Sequence, residues 1–138
     1  MAHQTKIQIR FSDIDKIGHV NNAVFLQYME TARVQYFNDV FGKRHNWDKE
    51  GFVVVRNEIN YLLPLYLNDK IYCTTRCIKI GNKSLTLENV IYRKKSSKTE
   101  IVAEGIGVLV SMDYQKKKSM KLPHQWIKKI KLFENNSL

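Results

Sequence analysis

Residues 12–22, SDIDKIGHVNN, set a second aspartate two positions after the first, a histidine four after the second, and paired asparagines directly ahead of a long helical run. Carboxylates and imidazoles are common proton-transfer groups, and a neutral imidazole offers one donor and one acceptor. The same residues also have a plainer use. An acid ahead of a helix complements the positive end of its dipole, typically by about 0.3–1 kcal/mol, and asparagine caps the helix's unpaired N–H groups. On residue types alone Asp15 reads as such an acid. Asp13 reads as a turn carboxylate accepting nearby backbone N–H groups, and Asn21 and Asn22 as N-cap and first turn. His19 stands open between a proton donor beside Asp15 and a turn histidine held by a backbone carbonyl. Gly18 suits a turn or the close approach of a ligand.

The elements that must hold this stretch are legible on either side. TKIQIRF (5–11) alternates Ile7, Ile9 and Phe11 with polar residues, the period of a half-buried strand. From Ala23 to Phe41 apolar residues recur at Phe25, Met29, Ala32, Tyr36 and Val40. Val24, Leu26, Tyr28, Phe37 and Phe41 widen the stripe, and Gly42 closes the run as a cap. A helix this apolar must be wrapped. The segments 51–64, 69–80, 83–95 and 99–112 are rich in Val, Ile, Thr and Tyr, and GNKS and SSK between them have the length of hairpin turns. After a lysine-rich loop, Pro123 starts a short helix with Trp126, Ile127, Ile130 and Phe133 at helical spacing. This order predicts an α+β hotdog fold, an antiparallel five-stranded sheet wrapped around a long central helix. Glu30 and Arg33, three apart on that helix, read as a structural ion pair.

At 138 residues and 43% hydrophobic, one domain over 1–138 is expected, with a short basic C-terminal helix. MAHQTKIQIRF has no apolar h-region, and no segment nears the roughly 18 apolar residues of a membrane span. A cytoplasmic protein without membrane insertion is therefore expected. Cys73 and Cys77 share one face of a strand about 13 Å apart, too far for a disulfide. The four histidines form no pair at ligand spacing, so no metal is expected. The net charge of +10 is uneven: from Lys116 onward seven lysines face one acid, Glu134. That pattern suits a solvated lysine face better than a nucleic-acid site, and no nucleic-acid partner is expected.

DIDKIGHVNNAVFLQYMETAR (13–33) resembles the motif opening the hotdog acyl-CoA thioesterases of the 4-hydroxybenzoyl-CoA thioesterase family. FVVVRNEINYLLP (52–64), Asn68–Asp69 and GNKSLTLENVIY (81–92) are similar to the long-chain acyl-CoA thioesterase branch. The resemblance implies hydrolysis of acyl-CoA thioesters without a cofactor, coenzyme A being part of the substrate. It makes Asp15 the general base or nucleophile and His19 a catalytic companion, while the N–H at Asn22 polarises the carbonyl. Gly18, Asn21, Lys83 and Ser84 would contact substrate, Lys83 at the nucleotide end. It also implies a homodimer or homotetramer with sites lined by both subunits, and leaves an acyl carrier protein as the alternative carrier. In another hotdog branch the acid is a helix glutamate, which makes Glu30 the reserve candidate. A non-catalytic acyl-CoA-binding or regulatory module is the first rival reading, and nucleic-acid binding through the lysine-rich tail the second.

Overall fold

The computed structural model describes residues 2–135 and 138. The chain runs through β1 (His3–Ile7), α1 (Asn22–Phe41), β2 (Glu50–Tyr61), β3 (Lys70–Ile80), β4 (Ser84–Lys95), β5 (Lys98–Asp113), β6 (Lys118–Ser119) and α2 (His124–Phe133). Five strands form an antiparallel sheet in the order β1-β3-β4-β5-β2, and the two-residue β6 adds to β5 as a sixth. The five-stranded expectation is corrected only by that short strand, which the lysine-rich composition of the loop conceals.

Alternation in β3 and β4 explains how the sheet meets the helix. Ile71, Cys73, Thr75 and Cys77 face inward from β3, and Leu85, Leu87, Asn89, Ile91 and Arg93 from β4. Pairing in β4–β5 shifts between Ile91 and Tyr92, and beside that irregularity Val102 and Ala103 are both buried. The helix buries Phe25, Tyr28, Met29, Ala32, Tyr36, Phe37 and Phe41. Its N-terminal half packs on Ile71, Cys73 and Ile91. Its C-terminal half joins Cys77, Leu87 and Leu109 with Trp126 and Ile130 of α2. Gly105 of β5 faces the Met29 side chain of α1: a Cβ there would lie 2.7 Å from Met29 Sδ, which would have to shift. Cys73 and Cys77 are buried free thiols, both pushed up to about 12 by burial.

The first strand departs from expectation. It spans His3–Ile7 rather than 5–11, and Phe11, expected on the inner face with Ile7 and Ile9, is 84% exposed. The reason is local. At Arg10 the chain enters a 3₁₀ turn over Phe11–Asp13, in which the Asp13 N–H donates to the Arg10 carbonyl and the Asp13 carboxylate accepts the Arg10 N–H. That turn breaks the two-residue period before it reaches Phe11. Among the described residues no helix is long and apolar enough to cross a membrane.

Candidate active site

Residues 13–21 form a small hairpin against the N-terminus of α1. Ile14 and Val20 make an isolated antiparallel bridge, the Asp15 N–H donates to the His19 carbonyl at 2.8 Å, and the Gly18 N–H to the Asp15 carbonyl at 3.0 Å. Gly18 has φ +93°, a value that L side chains rarely adopt. The Asp15 side chain accepts the Ile17 N–H at 2.9 Å, so one carboxylate oxygen helps shape the turn. Asp15 and His19 are both half-buried. The His19 ring sits edge-on to Tyr66 with centroids 5.1 Å apart, and among the described residues no hydrogen bond joins it to Asp15.

Asn21 is the N-cap: its side chain accepts the Ala23 N–H at 2.9 Å, and its carbonyl accepts the Val24 N–H at 2.9 Å. A cap of this kind is worth typically about 1 kcal/mol. The first helical N–H, that of the exposed Asn22, has no acceptor among the described residues. The Asn22 carbonyl accepts from Tyr61 OH at 3.0 Å, which ties this first turn to the end of β2. An unpaired N–H at the positive end of a helix is a ready donor to a developing oxyanion.

Asp13, two residues before Asp15, is 2% exposed. It accepts from Tyr28 OH at 2.6 Å, from the Arg10 N–H at 2.9 Å and from the Arg10 guanidinium at 3.0 Å. Burial pushes its carboxyl up, but hydrogen bonds from Tyr28 and Arg10, with the Arg10 charge, outweigh burial and hold it below the ordinary 3.8. A depressed folded value stabilises fully above the unfolded value and ceases to do so as pH falls through the lower folded one. The gap in denaturant midpoint between wild type and Asp13→Asn is therefore expected to be widest above about pH 5 and to close toward about pH 2. A constant gap across that series would contradict the assignment.

The structure brings Asp15, Gly18, His19, Asn21 and Asn22 together and leaves Lys83 and Ser84 elsewhere. The hairpin lies at the end where β1 finishes and β3 starts, because Ile7 pairs with Ile71 and the Val20 N–H donates to the Leu65 carbonyl. Lys83 occupies the β3–β4 turn at the other end, roughly 30 Å of strand away. Glu30 lies two turns into α1 beside Arg33, with Nη2 to Oε2 at 3.6 Å, as the helical spacing implies. That pair borders a separate cleft with Met29, Asn57, Glu58 and Gly105. Tyr61 and Tyr66 are site neighbours that sequence reasoning misses. They reach the hairpin from 39 or more residues away, and no local pattern marks them. Among the described residues no three of His, Cys, Asp and Glu gather into a metal-binding group.

Residues 9–130 match the model of the thioesterase-like superfamily. The chain is 32% identical over 123 residues to the long-chain acyl-CoA thioesterase FadM of Escherichia coli K12, covering 86% of this chain and 89% of that protein. It superposes with TM-score 0.85 and 34% identity on a thioesterase from Thermus thermophilus complexed with coenzyme A and Zn, covering 98% and 96% of the two chains. A 1,4-dihydroxy-2-naphthoyl-CoA thioesterase from Synechocystis shares the fold, with TM-score 0.80, 17% identity and 94% and 96% coverage. The hotdog architecture expected from the element order is thus the fold of these proteins.

Proposed function

The chain belongs to the thioesterase-like superfamily, and from that premise we propose that it hydrolyses acyl-CoA thioesters to a free acid and coenzyme A. The observation that carries the reading is the hairpin: a half-buried carboxylate, Asp15, fixed by backbone hydrogen bonds beside a helix whose first N–H is unpaired among the described residues. The thioester oxygen meets the Asn22 N–H, and negative charge developing there is stabilised by that donor and by the helix dipole. Asp15 acts as general base, taking a proton from the water that attacks the carbonyl carbon, or as nucleophile, forming an anhydride that water then cleaves. In either case the C–S bond breaks and the thiolate takes up a proton. His19, at the rim beside Tyr66, is the companion donor to carbonyl or leaving sulfur. The coenzyme A bound in the Thermus relative and the acyl-CoA thioesterase activity of FadM support coenzyme A as carrier.

We assign the complete site to two copies of the chain. Within one chain the hairpin and Lys83 lie at opposite ends of β3, roughly 30 Å of strand apart. Among the described residues no strand covers the outer edge of β2, which is twelve residues long and shows exposed Val53 and Val55. An edge of that length is a template for pairing with a second copy, and antiparallel pairing would carry one copy's Lys83 end toward the other's Asp15.

Thiol release across acyl-CoAs of graded chain length, aromatic acyl-CoAs and acyl carrier protein thioesters tests the activity. At least one class is expected to reach kcat/KM of about 10⁴ M⁻¹s⁻¹ or more. Tight binding of every thioester without turnover would favour the non-catalytic module. For the shared site, Asp15→Asn and Lys83→Glu chains, each impaired alone, are mixed after unfolding. Random pairing restores up to about a quarter of the sites, and no recovery would refute the two-copy arrangement.

A further inference from the structure

Two charged residues are buried among the described residues, Asp13 at 2% exposure and Arg93 at 7%. Burying charge is costly, and well-packed apolar groups often stabilise a fold as well as a buried ion pair does. Both residues lie at the hairpin end of the sheet, and each directs hydrogen bonds at segments that hold Asp15.

Asp13 works from the helix side. Its carboxylate takes Tyr28 OH from the second turn of α1 and the N–H and guanidinium of Arg10. Its carbonyl takes the N–H of Asn21, the helix cap, at 2.9 Å. One residue thus joins the incoming chain, the cap and the helix, with Asp15 two positions further on.

Arg93 works from the sheet side. Its Nη1 donates to the Pro64 carbonyl at 2.8 Å and to Asp69 Oδ2 at 2.9 Å, and its Nε to Glu100 at 3.1 Å. Pro64 and Asp69 bracket a loop whose Leu65 carbonyl accepts the Val20 N–H at 2.8 Å and whose Tyr66 ring meets His19. The His19 carbonyl in turn accepts the Asp15 N–H. A shift of the 64–69 loop is therefore passed through two contacts to Asp15.

We propose that Asp13 with Tyr28, and Arg93 with the 64–69 loop, are positioning residues that clamp the hairpin from two sides and hold Asp15 in reactive register. The proposal rests on Asp15 acting as described under the proposed function. Asp13, Tyr28 and Arg93 are buried, so their effect on rate passes through Asp15.

The test measures kcat and KM for Tyr28→Phe, Arg93→Met and Arg93→Lys, each in wild-type and Asp15→Asn backgrounds. Misplacing a reacting group by about 1 Å can cost on the order of a hundredfold. Tyr28→Phe is expected to lower kcat about tenfold or more at nearly unchanged KM in the wild-type background, yet to change the residual rate of Asp15→Asn by less than about twofold. Arg93→Lys should recover part of the loss seen in Arg93→Met. Equal losses in both backgrounds would overturn the proposal, as would a folded Tyr28→Phe of full kcat. If Arg93→Met does not fold, the Tyr28→Phe pair decides alone. Should Asp15→Asn keep the wild-type rate, the proposed function falls and the clamp with it; should Asp15→Asn be inactive while Tyr28→Phe stays fully active, only the clamp falls.

Discussion

Asp15→Asn is expected to lower thiol release from acyl-CoA about 10²- to 10⁴-fold, with KM within a few-fold of wild type. The substitution is close to isosteric, and the amide oxygen can still accept the Ile17 N–H that Asp15 accepts at 2.9 Å, so the hairpin keeps its shape. What disappears is the charge and the ability to take a proton or attack a carbonyl. The Asn22 N–H and the Asn21 cap do not depend on that charge, so the proposed binding and carbonyl polarisation are expected to persist. Residual catalysis from those donors is the floor of the measurement. Equal rates in the two proteins would sink the assignment of Asp15 and leave its carboxylate the turn-forming role it visibly has.

Trp126→Ala is expected to cost about 3–5 kcal/mol of stability, read as a fall in denaturant midpoint with the slope unchanged. Trp126 is 5% exposed and lies between Phe41 of α1 and Phe52 of β2, with centroids at 5.6 and 5.2 Å. Removing it opens a cavity where helix, sheet and α2 meet. One turn later Ile130 is fully buried. Glu134 then accepts Tyr36 OH at 2.6 Å and the Cys77 N–H at 2.9 Å, fastening the end of α2 to both layers. Against a typical total of about 5–15 kcal/mol, this single change removes a large share of the fold's margin. A loss under about 1 kcal/mol would show that α2 is dispensable. The basic C-terminal helix is thus a core element that carries Lys128, Lys129 and Lys131 on its exposed face.

The pair Asp13 and Asp15 shows most clearly which features the chain announces and which it does not. As letters they differ little. The reading of Asp13 as a carboxylate accepting nearby backbone N–H groups holds for that of Arg10, at 2.9 Å. Its shortest hydrogen bond, however, is with Tyr28, fifteen residues on. That contact exists only because a 3₁₀ turn points the carboxyl at the helix it precedes.

The features legible in the residues themselves are those that short-range forces encode. The two-residue alternation of β3 and β4, the apolar stripe of α1, the asparagine cap and Gly42 at the helix end each depend on neighbours within a turn or a strand, and each is present in the fold. The distance of Lys83 from Asp15 and the hydrogen bonds of Arg93 to Pro64 and Asp69, 29 and 24 residues away, follow from the assembled sheet and helix instead. The physical reason is that register and long-range pairing set which side chains meet. A buried charge finds its partner through the fold of the whole sheet, and no spacing along the chain records that partner in advance.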